Sequence, residues 1–282
     1  MGLDRRSNQM LRDTIMSKRT LLVFALIAVY VGPFLSQGYV FRQDYGVSFN
    51  AWGMFASTMS NARALLVCFV GYILMLSDLP RFSSAAVYEV VRSKRRSLMA
   101  VRVLMILKLT LVFLLLLFFL LCLLGGCTDW RFDTWDKVHY TYAHGQSVGE
   151  LYVAVPGEMV AEYTPITAFM TSMFLLFFVF SGLGMGLLFF TMLLNEKKIV
   201  FAVICALAGL DMAIDEMGLG YRMYIASPLS YTRLGIIGKH EMNAFYPSKE
   251  RMLIATMLLF VTTMIGCLVF PVNRRLDRLS MK

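Results

Sequence analysis

The chain has 282 residues, 58% of them hydrophobic and only 16% charged, a mean hydropathy of +0.66, and a net charge of +9 from 27 Lys+Arg against 18 Asp+Glu. That composition excludes an ordinary soluble domain and reads as a polytopic membrane protein. The basic residues flank apolar runs, so they are read as setting orientation in a lipid bilayer and not as a nucleic-acid surface.

Residues 1–19 carry Arg5, Arg6, Arg12, Lys18 and Arg19, while Leu3, Met10, Leu11 and Ile15 fall near one helical face. This pattern predicts a short basic helix lying on the cytoplasmic membrane surface. The apolar run Leu21–Leu35 lacks a small-x-small cleavage site and is followed by further spans, so it reads as an uncleaved first span, roughly 20–36. The second span, 63–78, is short and opens at Arg63. The third, 100–124, contains Leu109–Leu124, sixteen residues without a charge and with one hydroxyl. With its flanks it is long enough to cross ~30 Å of hydrocarbon at ~1.5 Å per residue. Arg102 and Lys108 in its first half are expected to snorkel toward the near surface.

The fourth span, 166–194, holds Gly182, Gly184 and Gly186, small residues that let another backbone approach. No Lys-Ser/Thr follows them, which excludes a phosphate-binding loop. The fifth, 199–216, is interrupted by Asp211, Asp215 and Glu216. Residues 217–250 contain Pro228 and Pro247, and a re-entrant or interfacial segment is expected at Pro228–Gly238. The sixth span, 252–270, stops at Pro271.

Six spans put both termini on one side. That side collects seventeen Lys/Arg and the other nine, spread over far more residues, so both ends are expected in the cytoplasm. The 125–165 loop, with six acidic and two basic residues plus Trp130, Trp135, Tyr140, Tyr142 and Tyr152, fits the outer side. The fold class is therefore all-α: one transmembrane helix bundle over 1–282 with six spans. No internal repeat is convincing.

Chemistry leaves few traces. There is no GxxxxGK[ST], HExxH or GxSxG, hence no catalytic or nucleotide site to propose on this chain. Of Cys68, Cys122, Cys127, Cys205 and Cys267, none forms CxxC or a zinc spacing; Cys122 and Cys127, five apart at the outer interface, read as two free thiols sooner than as a disulfide. His139 and His144 read as solvated loop histidines sooner than as a metal pair, and no cofactor or metal is assigned.

Asp211 and Asp215 are four apart and share a helix face. They would suit a proton or cation relay. With no basic residue in a neighbouring run at matching depth, the trio with Glu216 reads instead as the outer end of a broken span facing water. In the 77–102 segment Pro80 ends the second span and Ser83 or Ser84 caps a short helix. Its apolar stripe is Ala86, Val87, Val90 and Val91, and Glu89, Arg92, Lys94, Arg95 and Arg96 supply its charge. Such a helix suits docking to a partner protein, or equally a basic loop on anionic lipid.

Ser-Asp-Leu-Pro at a span end, an amphipathic stretch, Val-Arg-Ser-Lys-Arg-Arg-Ser, a Leu/Phe-rich span, and SPLSYTRLGI at 227–236 together resemble the membrane subunits of type-2 ABC exporters, bacterial permeases that work with a separate ATPase. The resemblance covers the order of all six spans. It implies a multi-pass protein of the bacterial plasma membrane, with residues 4–17 as a connecting helix and Ser83–Arg96 as the helix that couples to the ATPase. It further implies ATP on a partner ATPase subunit, a second permease subunit, same or different, and export of a peptide, lipid or antibiotic-like substrate. Two other classes stay open: an ion- or proton-coupled carrier using Asp211 and Asp215, and a non-transporting immunity or scaffold protein.

Overall fold

The computed structural model describes residues 2–77, 95–144, 155–194, 196–218, 221–237 and 248–269. Among them every regular element is helical, and the sole strand-like feature is an isolated bridge between Asn50 and Asp129. The helices are α1 (Gly2–Ile15), α2 (Lys18–Leu35), α3 (Gln37–Tyr45), α4 (Ala51–Ser60), α5 (Ala62–Leu76) and α6 (Arg95–Gly125). They continue with α7 (Lys137–Ala143), α8 (Gly157–Glu162), α9 (Pro165–Leu194), α10 (Lys197–Met217), α11 (Leu234–Ile237) and α12 (Lys249–Val269), with 3₁₀ turns at Tyr221–Ala226 and Ser230–Thr232.

Three helices are long and apolar enough to cross a membrane: Met99–Gly125, Pro165–Leu194 and Lys249–Val269. Two bent pairs raise the number to five: Ser7–Ile15 with Lys18–Pro33, bent by 54°, and α4 with α5, bent by 89°. α10 is not among them, because every 18-residue stretch of it contains three charged side chains drawn from Lys197, Lys198, Asp211, Asp215 and Glu216.

Side-chain contacts fix the helix directions. The end of α5 meets the start of α2, where Arg19 donates to Ser77. The end of α6 meets the end of α2, where Leu124 faces Gly32. α9 starts beside Phe132, just past α6, and α10 ends beside Arg63, at the start of α5. α12 runs parallel to α9, with Gly182 against Leu259 and Phe260 and Gly266 against Phe189. The six long helices therefore alternate in direction along the chain. One end, called here the loop end, gathers α3, α4, α7, α8, α11 and the 3₁₀ turns.

The glycines of α9 act as the sequence anticipates. A Cβ on Gly184 would meet Tyr72, Leu76 and Ile106, and one on Gly182 would approach the α12 backbone. The tight approach builds an aromatic core in which Tyr72, Phe113 and Phe180 pack at 5.2–6.3 Å. Tyr72 and Thr110 share a hydrogen bond of 2.7 Å, which satisfies both buried hydroxyls. Outward, Leu22, Phe119, Phe174, Val203 and Leu258 stand exposed on five different helices. Apolar surface that extensive is what lipid contact requires.

Three expectations change. The second span is not a straight rod: α5 has 15 residues, about 22 Å at 1.5 Å per residue, too short for ~30 Å of hydrocarbon. Before it, α4 crosses at a right angle with nine of its ten residues buried. Its sequence, AWGMFASTMS, is too short and too weakly polar to show a surface face. Lys108 does not snorkel freely; its Nζ donates to Asn8 (2.6 Å) and Ser7 (3.2 Å), tying α1 against the first half of α6. Finally, α1 is packed on that helix through Met10, Leu11 and Ile15, not merely laid on a surface.

Asparagines fix both ends of the α4 corner. Asn61 caps α5, accepting from Arg63 and Ala64. Asn50 caps α4, accepting from Trp52 and Gly53, while its amide donates to Arg131 O at 2.7 Å. Asn50→Ala removes the cap and the bond to Arg131 O, a loss of roughly 2 kcal/mol. A thermal-unfolding midpoint lowered by several degrees, and lowered less by Asn50→Ser, is the expected result.

Candidate functional site

Two polar clusters are built into the loop end. The first is centred on Arg233, which follows the second 3₁₀ turn. Asp211 and Asp215, one turn apart near the end of α10, both point to it. Arg233 Nη1 lies 3.2 Å from both Asp211 oxygens, Nη2 lies 2.8 Å from Asp215, and Nε donates to Ser60 O at 2.8 Å. Ser60 is the last residue of α4, so its carbonyl is one that helix geometry leaves without an internal partner. The Ser230 hydroxyl donates to Asp211 and the Tyr224 hydroxyl to Asp215, each at 2.5 Å. One cation thus serves two carboxylates, with two hydroxyls completing the set.

Asp211 is 1% exposed and the Arg233 side chain 12%. Burial works against the Arg233 charge, but Asp211 and Asp215 more than offset it and hold the guanidinium above its ordinary range. Burial, with Asp215 accepting its proton, pushes the Tyr224 phenol up. Glu216 turns away to the surface and pairs with Arg63 at 2.5 Å.

Asp215 and Glu216 do stand at the surface, as expected, but the expectation is corrected for the burial of Asp211 and for the lack of a basic partner. Asp211 is buried, and Arg233 bridges it to Asp215, one positive charge shared by two carboxylates. The partner comes from the segment that follows α10, not from another span, so no comparison of apolar runs reveals it. A signal existed: Arg233 is the single charge in LSYTRLGII, an otherwise uncharged stretch.

The second cluster holds α7. Asp136 is its N-cap, accepting from His139 N (2.7 Å), His139 Nδ1 (2.6 Å) and Asn50 N (2.5 Å). His139 Nε2 lies 3.5 Å from the Ser57 hydroxyl, and its ring packs on Phe49 and Trp135. Ser57, His139 and Asp136 have the connectivity of a hydrolytic triad. All three are at most 2% exposed, and Ser57 Oγ donates to Met54 O, so the group reads as internal support for α4 and not as a nucleophile open to substrate. His139 is thus no solvated loop residue. His144 bonds to Tyr140 O in an exposed position and does not converge with it.

Burial opposes the Asp136 charge, but His139 and the backbone donors outweigh it, and the carboxyl stays below its usual range. Among the described residues no group of three His, Cys, Asp or Glu side chains is placed to hold a metal ion.

Beside the Arg233 cluster an apolar cleft of about 250 Å³ lies between α9, α10 and α12, lined by Val179, Leu183, Leu207, Pro228, Tyr231 and Leu259. Of the proposed coupling residues, Ser83, Val87, Glu89, Val90, Arg92 and Lys94 lie outside the described residues, and Arg95 and Arg96 are the first two residues of α6. Cys122 and Cys127 are both free thiols. Compared with known proteins, the chain matches no family model, no curated protein and no solved structure.

Two outcomes follow. Arg233→Ala leaves Asp211 buried and unpaired, a loss of about 3–5 kcal/mol; adding Asp211→Asn should recover part of it in a double-mutant cycle read by thermal unfolding. Because the folded Asp136 carboxyl is depressed, its stabilisation is complete above the unfolded value near 4 and is lost as pH falls through the folded value. Asp136→Asn should flatten that acid limb of the stability–pH curve.

Proposed function

We propose that this chain is the membrane permease subunit of an ABC transporter of the type-2 exporter kind. It crosses the bilayer six times with both termini in the cytoplasm of a bacterial cell, and a separate ATPase drives it. The observation that carries the reading is the 221–237 segment. It turns back onto α9, α10 and α12, and Arg233 pins it to α10 and to the end of α4. A doubled-back outer segment at that place in the chain is what the resemblance anticipates.

Two further features support it. The six long helices alternate in direction. The acids that keep α10 from counting as an apolar span are paired within the fold, Asp211 and Asp215 with Arg233 and Glu216 with Arg63, so part of the cost of carrying them at a membrane boundary is offset. The same pairing weighs against Asp211 and Asp215 as a free proton relay. In this reading α1, bent by 54° from α2 and tied to α6 by Lys108, is the connecting helix on the cytoplasmic side. Nucleotide binding on the ATPase moves the basic segment between α5 and α6, and the bundle switches access between two states. Export is favoured, and its substrate is a peptide, a lipid or an antibiotic-like molecule.

Co-purification tests the reading. An ATPase should accompany the tagged full-length chain, and Arg92→Glu, Arg95→Glu and Arg96→Glu combined should reduce its recovery at least tenfold with insertion unchanged. Full recovery with the triple variant would refute the docking role. Asp211→Asn abolishing transport while protein level and ATPase recovery hold would instead favour the ion-coupled carrier.

A further inference from the structure

The last turn of α6 closes on a left-handed glycine. Gly126 has φ +60°, its N–H bonds to Leu123 O (3.4 Å), and the N–H of Cys127 bonds to Cys122 O (3.1 Å). This crossed pair of bonds is the Schellman ending, in which the residues five apart that flank it bring their side chains together, usually as an apolar contact. Here those two residues are Cys122 and Cys127, joined directly by the backbone bond from Cys127 N–H to Cys122 O. Both are partly accessible, whereas Cys68 and Cys267 are buried.

The turn is held from outside as well. Tyr39 lies against Gly126, leaving no room for a Cβ, and its hydroxyl donates to Leu123 O at 2.7 Å. Two residues beyond Cys127, Asp129 exchanges backbone bonds with Phe49 and Ala51, the residues on either side of the α4 N-cap. The two thiols therefore sit at the joint between the longest helix and the packed loop end. A disulfide needs its α-carbons about 4.4–6.8 Å apart and its side chains directed at each other. A backbone bond between the same two residues, at a helix ending that brings such side chains together, suits that geometry.

We propose that Cys122 and Cys127 form a redox-active dithiol that closes to a disulfide by exchange with a disulfide donor. The thiolate of one of the two attacks one donor sulfur, and the other donor sulfur leaves as a thiolate that takes up a proton. The thiolate of the other cysteine then attacks the protein sulfur of the mixed disulfide and displaces the second donor thiolate, which is protonated in turn. Two protein thiols are oxidised, one donor disulfide is reduced to two thiols, and the protons lost by the cysteines are those the donor gains. The donor's compartment rests on the proposed orientation, which puts this joint on the outer, oxidising side; the chemistry of the pair does not.

The test uses purified full-length protein in lipid nanodiscs, incubated with oxidised glutathione or with dithiothreitol, then acid-quenched, unfolded and labelled with a polyethylene-glycol maleimide. Five labels are expected after reduction and three after oxidation, with the 122–127 bond identified by peptide mass. Cys122→Ser and Cys127→Ser should form no intramolecular disulfide. Five labels after oxidation, or two stable glutathione adducts in place of the internal bond, would overturn the proposal. Orientation is read separately with a membrane-impermeant maleimide on intact cells: blockage of Cys127 only after lysis would move the joint to the inner side and sink the orientation, while the three-label result on purified protein would still uphold the dithiol.

Discussion

A guanidinium shared by two carboxylates governs how the loop end closes. A buried carboxylate loses its hydration, and only a well-directed cation with further hydrogen bonds restores much of that loss. Arginine suits the task because its planar fork reaches several acceptors at once. Arg233 uses all three nitrogens, on Asp211, on Asp215 and on the last carbonyl of α4. It thereby joins α4, α10 and the doubled-back segment. The apolar cleft beside it exists because Pro228 and Tyr231 are held at that distance from α9 and α12.

Much of the remainder of the loop end follows the same rule, that buried polar groups find partners, with the Tyr163 and Ser227 hydroxyls as exceptions among the described residues. α4 is sunk in protein, so its terminal amides need donors and acceptors from other elements. Asn50 supplies the cap, and Asp136 receives the Asn50 amide as well as the first turn of α7. Around this framework Trp52 stacks on Phe118 and Phe132 and meets Trp130 edge-on. The long helices below it are held differently. Glycines at Gly71, Gly182 and Gly184 let backbones approach, and dispersion across flat contacts does the rest. In a bilayer that distinction matters, because burial of apolar side chains in lipid gives little drive to associate while paired polar groups retain direction.

In the proposed permease the two ends would divide the work. The loop end is cross-braced by charge and caps, so it moves as a unit or opens at defined bonds. At the opposite end, among the described residues, α1 is attached to α6 through Lys108 and to α2 through a bend at Ser17. A force delivered there by another chain would be carried along α6 and α9 into the cleft.

Local pattern made much of this legible. Sixteen uncharged residues at Leu109–Leu124 cannot be other than a helix once they meet hydrocarbon, because backbone groups there must bond within their own segment. Small residues at Gly182, Gly184 and Gly186 marked the face where α12 and α5 approach, and Pro228 marked the return segment. The pairing of Asp211 with Arg233 could not be read that way, since the two lie 22 positions apart and the partner belongs to a loop. The burial of His139 and α4 was hidden for the same reason: Asn50 and Asp136 meet across 86 positions. Hydropathy and spacing are properties of neighbours along the chain and determined which stretches become helices. Which charge finds which partner depends on how those helices stack in space, and only the tertiary structure decided it.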